Sequence, residues 1–290
     1  MRFATYASGQ GSSVGLVFGD RIVDLNQWSD RPAGSTAWLP DVAAVFSDEA
    51  VMAALTSVTA DAAALDLASQ RLMPPVLHPS KVIGVGINYR SFARQLGEPE
   101  PEHLSVFHKT ASALNAHSSP IVRPLNTRQL VPEGELALII GRRARRVKAD
   151  EGFSHIGVVT CANDVSARDL EFQTTQWTAG KMLPTSCPLG PLAVTPDEVG
   201  LNAGLTVTTC VNGVEVQRGH TSDMVFPLGT LVAALSELVD LEVGDVILSG
   251  TPSDLGELRT PVFLKPGDVV TVEIEGIGRL RNPVRDSDDY

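Results

Sequence analysis

The chain has 290 residues, 43% of them hydrophobic, and its 34 acidic residues outnumber its 23 basic residues to give a formal charge of −11. This length suits one large domain or two smaller ones, and the hydrophobic share is enough for a sizeable core. The negative charge argues against nucleic acid or an anionic membrane as a partner, because each would need a positive surface.

The cysteines and the hydropathy pattern predict a soluble, cytoplasmic protein. Cys161, Cys187 and Cys210 are odd in number and have no CxxC spacing, which is typical of thiols in a reducing compartment. The first residues lack a continuous apolar signal segment, and no apolar run approaches membrane-spanning length.

The first 75 residues are predicted to form a small N-terminal α+β domain. Residues 1–25 have the pattern of strands and turns, and residues 41–71 are rich in Ala, Leu and acids at helical spacing. A proline-rich stretch, Met73–Pro79, follows. Since prolines fix φ and remove backbone donors, we place a boundary near residue 75, with residues 76–290 forming the larger domain.

The next segment combines a strand, a short helix and a second strand. The stretch Lys81–Tyr89 contains Gly84-x-Gly86, but it lacks the third glycine and the later acidic residue of a dinucleotide-binding fingerprint. Residues 89–96 have the pattern of a short helix or lid that ends at Gly97. Ser105–Lys109 is predicted as a strand.

Two acidic residues lead into an apolar strand. Glu133 and Glu135 are two residues apart, so a strand places both side chains on one face. Residues 136–140 are apolar without alternation, as in a strand covered on both sides. A second apolar run, Ile156–Ala162, leads to Asp164. Three carboxylates in a poorly hydrated place suit a hard divalent cation (Mg²⁺, Mn²⁺ or Ca²⁺), whereas a solvated acidic face is the alternative.

The rest of the chain is rich in strands. The basic turn at residues 142–148 indicates a solvated hairpin tip, and residues 205–217 predict a hairpin about Asn212-Gly213. Residues 228–241 predict an amphipathic helix, and residues 243–252 and 267–276 further strands. Because strands dominate without regular βαβ alternation, we predict a strand-rich α+β fold with mixed sheets.

Five motifs occur in one order between about residues 82 and 284. They are Glu133-Gly-Glu135-Leu-Ala, Asn163-Asp164-Val-Ser-Ala-Arg168-Asp169, Trp177-x-x-Gly-Lys181, Cys187-Pro-Leu-Gly-Pro191 and Ser249-Gly-Thr-Pro252. This series resembles the fumarylacetoacetate hydrolase family. The resemblance implies a mixed β-sandwich or roll, a homodimer, and a lidded cleft in which a small-molecule 2-oxo acid chelates Mg²⁺ or Mn²⁺ held by Glu133, Glu135 and Asp164.

The resemblance also implies roles for residues around that metal. Lys181 and Thr251 are predicted as catalytic: the lysine would lend positive charge to a developing oxyanion, and the threonine would bind the substrate carboxylate. Arg168, Glu171 and Tyr89 are predicted to contact substrate. Glu171 stands where relatives often carry Gln, so its charge should disfavour a dianionic substrate unless a cation offsets it.

One part of the family pattern is missing from the lid. Family hydrolases have a pattern similar to Asn-Tyr-x-x-His-Ala-x-Glu, in which the His and Glu activate water. This chain has Phe92 and Gln95 at those positions. A phenyl ring and an amide have no useful basicity. His108, beside Lys109, is the one other histidine that we consider for substrate binding, although a lone histidine on a strand more often has a structural role.

These observations leave three hypotheses. The leading one is the family default, a metal-dependent hydrolase that cleaves a C–C bond of an acylpyruvate-like substrate. The missing dyad raises the alternative of a decarboxylase or isomerase/tautomerase of a 2-oxo diacid, because neither reaction needs a positioned water. The third hypothesis is a catalytically silent family member, since a fold alone does not settle function.

Overall fold

Strands from both ends of the chain meet in one large mixed sheet in the computed structural model, which describes residues 1–35, 38–60, 64–254 and 262–287. Within these residues, eleven strands belong to this sheet, five to a second sheet and two to a short third one. The predicted strand-rich α+β fold with mixed sheets is confirmed.

The described elements follow in chain order. The N-terminal segment contains β1 (Arg2–Ser8), β2 (Gly11–Phe18), β3 (Arg21–Asp24), α1 (Val42–Phe46), α2 (Glu49–Ala54) and β4 (Leu65–Asp66). The middle of the chain contains β5 (Val82–Gly86), α3 (Arg90–Leu96), β6 (Ser105–Lys109), β7 (Leu114–Asn115), β8 (Ile121–Arg123), β9 (Leu130–Val131), β10 (Gly134–Ile140), α4 (Ala149–Gly152), β11 (Ile156–Asn163), β12 (Ser166–Ala167), α5 (Arg168–Glu171), α6 (Thr178–Lys181) and β13 (Cys187–Val194). The remainder contains β14 (Thr206–Val211), β15 (Val214–His220), α7 (Leu228–Leu238), β16 (Val246–Leu248), β17 (Val269–Ile274) and β18 (Gly278–Asp286).

The central strands β10 and β11 are buried along their whole length. Because side chains alternate along a strand, Leu136 and Leu138 enter a core that includes α7 and β17, while Ala137 and Ile139 enter a second core that includes α1 and α2. The absence of alternation in this stretch therefore correctly predicted a strand covered on both faces.

The N-terminal strands continue the large sheet. Strand β1 pairs antiparallel with β13, with Arg2 opposite Val194, and the order β4-β3-β2-β1-β13-β11-β10-β16-β5-β6 runs across the sheet. Helices α1 and α2 share their apolar core with β10 and β11. The division of the chain near residue 75 stays a prediction.

Four strand ends meet at one edge of the large sheet. Strands β5 and β16 are parallel, and β10 is antiparallel both to β16 and to β11. The carboxyl ends of β5, β16 and β11 therefore lie beside the amino end of β10. This arrangement gathers the turn after β16, the lid after β5 and the acids that flank β10 and β11 in one place.

The lid is the helix α3, as predicted, and it ends at Gly97, whose φ of 74° is the left-handed value that favours glycine. Asn88, just before it, is fully buried and ties it to its neighbours: its Nδ2 donates to the Ser249 carbonyl at 2.8 Å, and its Oδ1 accepts from the Phe226 amide at 2.8 Å. The lid is therefore anchored to the turn that follows β16.

Candidate metal centre

The carboxylates of Glu133, Glu135 and Asp164 converge at this edge of the sheet. Each offers an oxygen within 4.8 Å of the other two, and the residues are 4%, 2% and 0% exposed. The pairing of β10 with β11 explains the convergence, since it places Gly134 opposite Asn163 and lets the Asp164 amide donate to the Glu133 carbonyl at 2.8 Å. The structure thus brings together the three residues that the sequence predicts as metal ligands.

Three cations surround these carboxylates. Lys181 Nζ lies 2.5 Å from Glu133 Oε2 and 2.8 Å from Asp164 Oδ2, and Lys109 Nζ lies 2.7 Å from Asp164 Oδ1. The guanidinium of Arg168 donates to Glu133 Oε1 through Nη2. Burial disfavours ionisation, but Arg168 and Lys181 outweigh it and lower the pKa of Glu133 to about 2.

Glu135 is the member of the triad whose charge is not balanced. Its Oε2 accepts from the Gly250 amide at 2.7 Å, and no Lys or Arg among the described residues forms an ion pair with it. Burial, followed by the charges of Asp164 and Glu133, raises its pKa well above the usual value. Three oxygen donors with one uncompensated charge fit a hard divalent cation, which would supply the missing positive charge.

Arg168 also joins the triad to Glu171. Its Nη1 lies 2.6 Å from Glu171 Oε2, so one guanidinium bridges two buried carboxylates. Burial raises the pKa of Glu171, and Lys181 and Arg168 oppose that rise. The charge at residue 171, which the sequence predicts to disfavour a dianionic substrate, is therefore already offset by a neighbouring cation.

Arg168→Met is expected to destabilise the metal-free protein by about 3–5 kcal/mol, because it leaves Glu133 and Glu171 buried with less compensation. Urea denaturation in the presence of a chelator measures this loss. Arg168→Lys is the control: it keeps the charge but not the two-pronged geometry, so its loss should be smaller. Equal stability of Arg168→Met and wild type would contradict the bridging role.

The acids open into a cleft of about 850 Å³, a size that suits a small molecule. Phe92, Phe107 and Trp177 line it on the apolar side. Trp177 packs edge-on to Phe107 with ring centroids 6.2 Å apart, and Lys181 Nζ lies 4.7 Å from the Phe107 centroid. The aromatic wall therefore shields the cations and carboxylates from water.

Gly86 leaves the space that the Trp177 side chain occupies. A Cβ at Gly86 would lie 2.3 Å from Cζ3 of Trp177, so no larger residue fits at position 86 while this indole keeps its position. The Gly84-x-Gly86 pair, which the sequence excludes as a dinucleotide fingerprint, thus has a packing role here.

The other residues predicted for the site are placed as follows. Lys181 and Thr251 line the cleft, but the Thr251 hydroxyl is engaged by the backbone, donating to the Gly134 carbonyl at 3.0 Å. Tyr89 is fully buried beneath the lid, its hydroxyl has no hydrogen-bond partner in the described structure, and it is not among the residues that line the cleft.

His108 is not brought to the cleft. Alternation along β6 buries Phe107 and Lys109 on one face and exposes His108 on the other. Its predicted role in substrate binding stays a prediction, and this placement does not support it. The same alternation could have pointed to Lys109, which shares its face with Phe107 and reaches Asp164.

Two further polar residues, one that lines the cleft and one that is its hydrogen-bond partner, were not predicted from the sequence. Asp254 lines the cleft after the Thr251 turn, and Gln217 on β15 donates to it at 3.2 Å. Gln217 also accepts from the Gly134 amide at 3.0 Å, which fixes the start of β10. Neither residue belongs to a sequence motif that we recognised, and their proximity depends on the packing of the second sheet against the first.

Comparison with known proteins agrees with the geometry. The model of the fumarylacetoacetate (FAA) hydrolase C-terminal domain matches residues 81–285. The chain is 35% identical over 292 residues to "Oxaloacetate tautomerase fahd2, mitochondrial" of Xenopus laevis, a match that covers 98% of this chain and 90% of the relative.

Two solved structures are similar over nearly the whole chain. A 5-carboxymethyl-2-hydroxymuconate delta-isomerase from Mycobacterium smegmatis has a TM-score of 0.78 and 32% identity, with 100% of both chains covered. Maleylpyruvate hydrolase from Sphingobium sp. SYK-6, in complex with manganese(II) ion and pyruvate, has a TM-score of 0.78 and 28% identity, with 99% of this chain and 100% of that chain covered.

This protein belongs to the fumarylacetoacetate hydrolase family, as the sequence motifs predict. The manganese in one structural neighbour and the buried acidic triad here indicate a divalent metal. No helix in the described part of the chain is long and apolar enough to cross a membrane. Because the Xenopus relative is named as mitochondrial, the cytoplasmic location stays a prediction.

Proposed function

We propose that this protein is a Mg²⁺- or Mn²⁺-dependent tautomerase of oxaloacetate or a similar small 2-oxo diacid. The observation that carries the proposal is the lack of an imidazole at the cleft: no described residue that lines it is a histidine, and Phe92 and Gln95 occupy the lid. Hydrolysis by the family dyad needs a base that activates an attacking water, whereas tautomerisation needs no attacking water, only a group that exchanges a proton with the substrate carbon.

The names of two relatives support this direction. The Xenopus relative is called a tautomerase and the mycobacterial neighbour an isomerase. Acylpyruvate hydrolysis, the leading hypothesis from sequence, becomes the second candidate, favoured by the hydrolase name of the Sphingobium neighbour. Decarboxylation would share an enolate with tautomerisation, so one assay set must score all three reactions.

The chain's own residues would prepare the substrate as follows. A divalent cation held by Glu133, Glu135 and Asp164 would act as a Lewis acid on the 2-oxo group. Lys181 stays protonated, because the charges of Asp164 and Glu133 outweigh its burial and raise its pKa, and its ammonium would stabilise a developing oxyanion. The aromatic wall of Phe107 and Trp177 would exclude water and so strengthen these charges.

The assay mixes the purified protein and Mg²⁺ or Mn²⁺ with oxaloacetate and with acylpyruvates, and follows enol absorbance, CO₂ release and C–C cleavage. We expect faster keto–enol interconversion of oxaloacetate, with acylpyruvate cleavage and CO₂ release near the uncatalysed rate. Rapid acylpyruvate cleavage without enol interconversion would contradict the proposal. From the family resemblance we also propose a homodimer, which light scattering on the purified protein tests.

A further inference from the structure

Asp254 lies at the cleft in a setting that differs from that of Glu133, Asp164 and Glu171. It follows the Thr251 turn, and no described Lys or Arg forms an ion pair with it, whereas Glu133, Asp164 and Glu171 are all paired with cations. Its carboxylate is held instead by two neutral amides: Gln95 Nε2 donates to Oδ2 and Gln217 Nε2 to Oδ1, each at 3.2 Å.

The contact with Gln95 is reciprocal. The Asp254 amide donates to Gln95 Oε1 at 2.8 Å, so both polar ends of the Gln95 side chain engage the same residue. Gln95 stands where the family pattern has the dyad glutamate. The carboxylate that is missing from the lid helix is therefore present beside that position, contributed by the turn after β16.

The surroundings of Asp254 favour proton exchange. Burial raises its pKa, against the hydrogen bonds from Gln95 and Gln217, which makes it a better proton acceptor than an ordinary Asp. The charged groups that act on it from the cleft, Arg168 and Glu133, have opposite signs. Two amides fix its orientation without neutralising its charge.

We propose that Asp254 is the proton-transfer residue of this site, taking the place of the lid dyad in the tautomerisation proposed above, on which this inference rests. In the keto-to-enol direction, an Asp254 oxygen takes a proton from C3 of the 2-oxo diacid. The C3–H electron pair forms the C2–C3 double bond, and the carbonyl π pair moves to the C2 oxygen, giving an enolate.

The remaining proton movements balance the reaction. The enolate oxygen takes a proton from solvent to give the enol, and Asp254 returns its proton to solvent. The reverse sequence delivers a proton from Asp254 to C3. No oxidant, reductant or second substrate is needed, because the enol is an isomer of the keto form.

The experiment measures kcat for enol interconversion and the rate of C3 hydrogen exchange in D₂O by NMR. Asp254→Asn is expected to lower both by about 10²–10⁴-fold, the usual contribution of a positioned acid–base group. Its Mn²⁺ affinity and melting temperature should match wild type. Gln95→Ala, which keeps the carboxylate but removes one partner, should lose far less activity.

A second variant guards against a folding defect. In Asp254→Gly, added formate should restore at least part of the lost rate, and chloride at equal ionic strength should not. An Asp254→Asn rate within about threefold of wild type would overturn the inference. Loss of rate together with lowered melting temperature or Mn²⁺ affinity, without rescue by formate, would overturn it as well, because it assigns a structural role.

Failure of the proposed function gives a different pattern. If wild-type protein with metal leaves both the enol interconversion and the C3 exchange at their uncatalysed rates, the tautomerase proposal itself is wrong. If wild type is active and Asp254→Asn is equally active, the tautomerase proposal stands and only the role of Asp254 falls.

Discussion

Glu135→Gln is expected to weaken Mn²⁺ binding by more than about 100-fold, since even residues that only orient metal ligands cost about 10–100-fold when mutated. The amide keeps an oxygen that can accept from the Gly250 amide, so the turn after β16 should retain its structure. What is lost is the anionic oxygen that a hard cation requires. Isothermal titration calorimetry with Mn²⁺ measures the change.

The same substitution should have the opposite effect on the metal-free protein. Burial and the charges of Asp164 and Glu133 raise the pKa of Glu135 and so disfavour its ionised form, and no Lys or Arg among the described residues pairs with it. A neutral amide at this position does not carry that cost. We therefore expect a higher melting temperature in chelator and no further rise on adding Mn²⁺. Glu171→Gln is the matched control, because it also removes a buried carboxylate but should leave Mn²⁺ affinity close to wild type. Unchanged Mn²⁺ affinity in Glu135→Gln would contradict the assignment of the triad.

Restoring the lid dyad should convert the protein into an acylpyruvate hydrolase, with a gain of at least about 10²-fold in cleavage rate. The change needs three substitutions, Phe92→His, Gln95→Glu and Asp254→Asn. The third is required because Gln95 Nε2 lies 3.2 Å from Asp254 Oδ2, so a glutamate at 95 would face a carboxylate and one of the two would keep a proton.

The triple variant should lose tautomerase activity while it gains cleavage, because it removes the Asp254 carboxylate. The double variant without Asp254→Asn is the control, and we expect a smaller gain in hydrolysis from it. Product analysis by NMR with an acylpyruvate and with oxaloacetate scores both reactions in one experiment. A wild-type protein that already cleaves acylpyruvate rapidly, and gains nothing from the triple change, would contradict this account of the lid.

The convergence of Glu133, Glu135 and Asp164 could be predicted from the sequence for a specific physical reason. The acids flank two apolar runs without alternation, and such runs form buried neighbouring strands whose ends meet. Glu133 and Asp164 thereby come into register through β10 and β11, the pair with Gly134 opposite Asn163. The strand-rich fold follows from the same patterns.

The charge balance of the site was not predictable in the same way. The sequence analysis considered His108 for substrate binding. Of the adjacent residues His108 and Lys109, however, it is Lys109 that lies on the buried face of β6. Asp254 lies in the turn after β16 and Gln217 lies on a strand of the second sheet, so no local sequence pattern predicts their contact. Long-range packing, rather than local propensity, supplied these residues.

The most direct test of the central claim is a crystal of the protein soaked with Mn²⁺ and oxalate, a two-oxygen mimic of an enolate, with data collected for anomalous scattering from manganese. We predict an anomalous peak among the carboxylates of Glu133, Glu135 and Asp164, with oxalate bound on its cleft side. Carboxylates that remain held by Lys181, Lys109 and Arg168 with no peak between them at saturating Mn²⁺ would contradict the claim that this triad is a metal site.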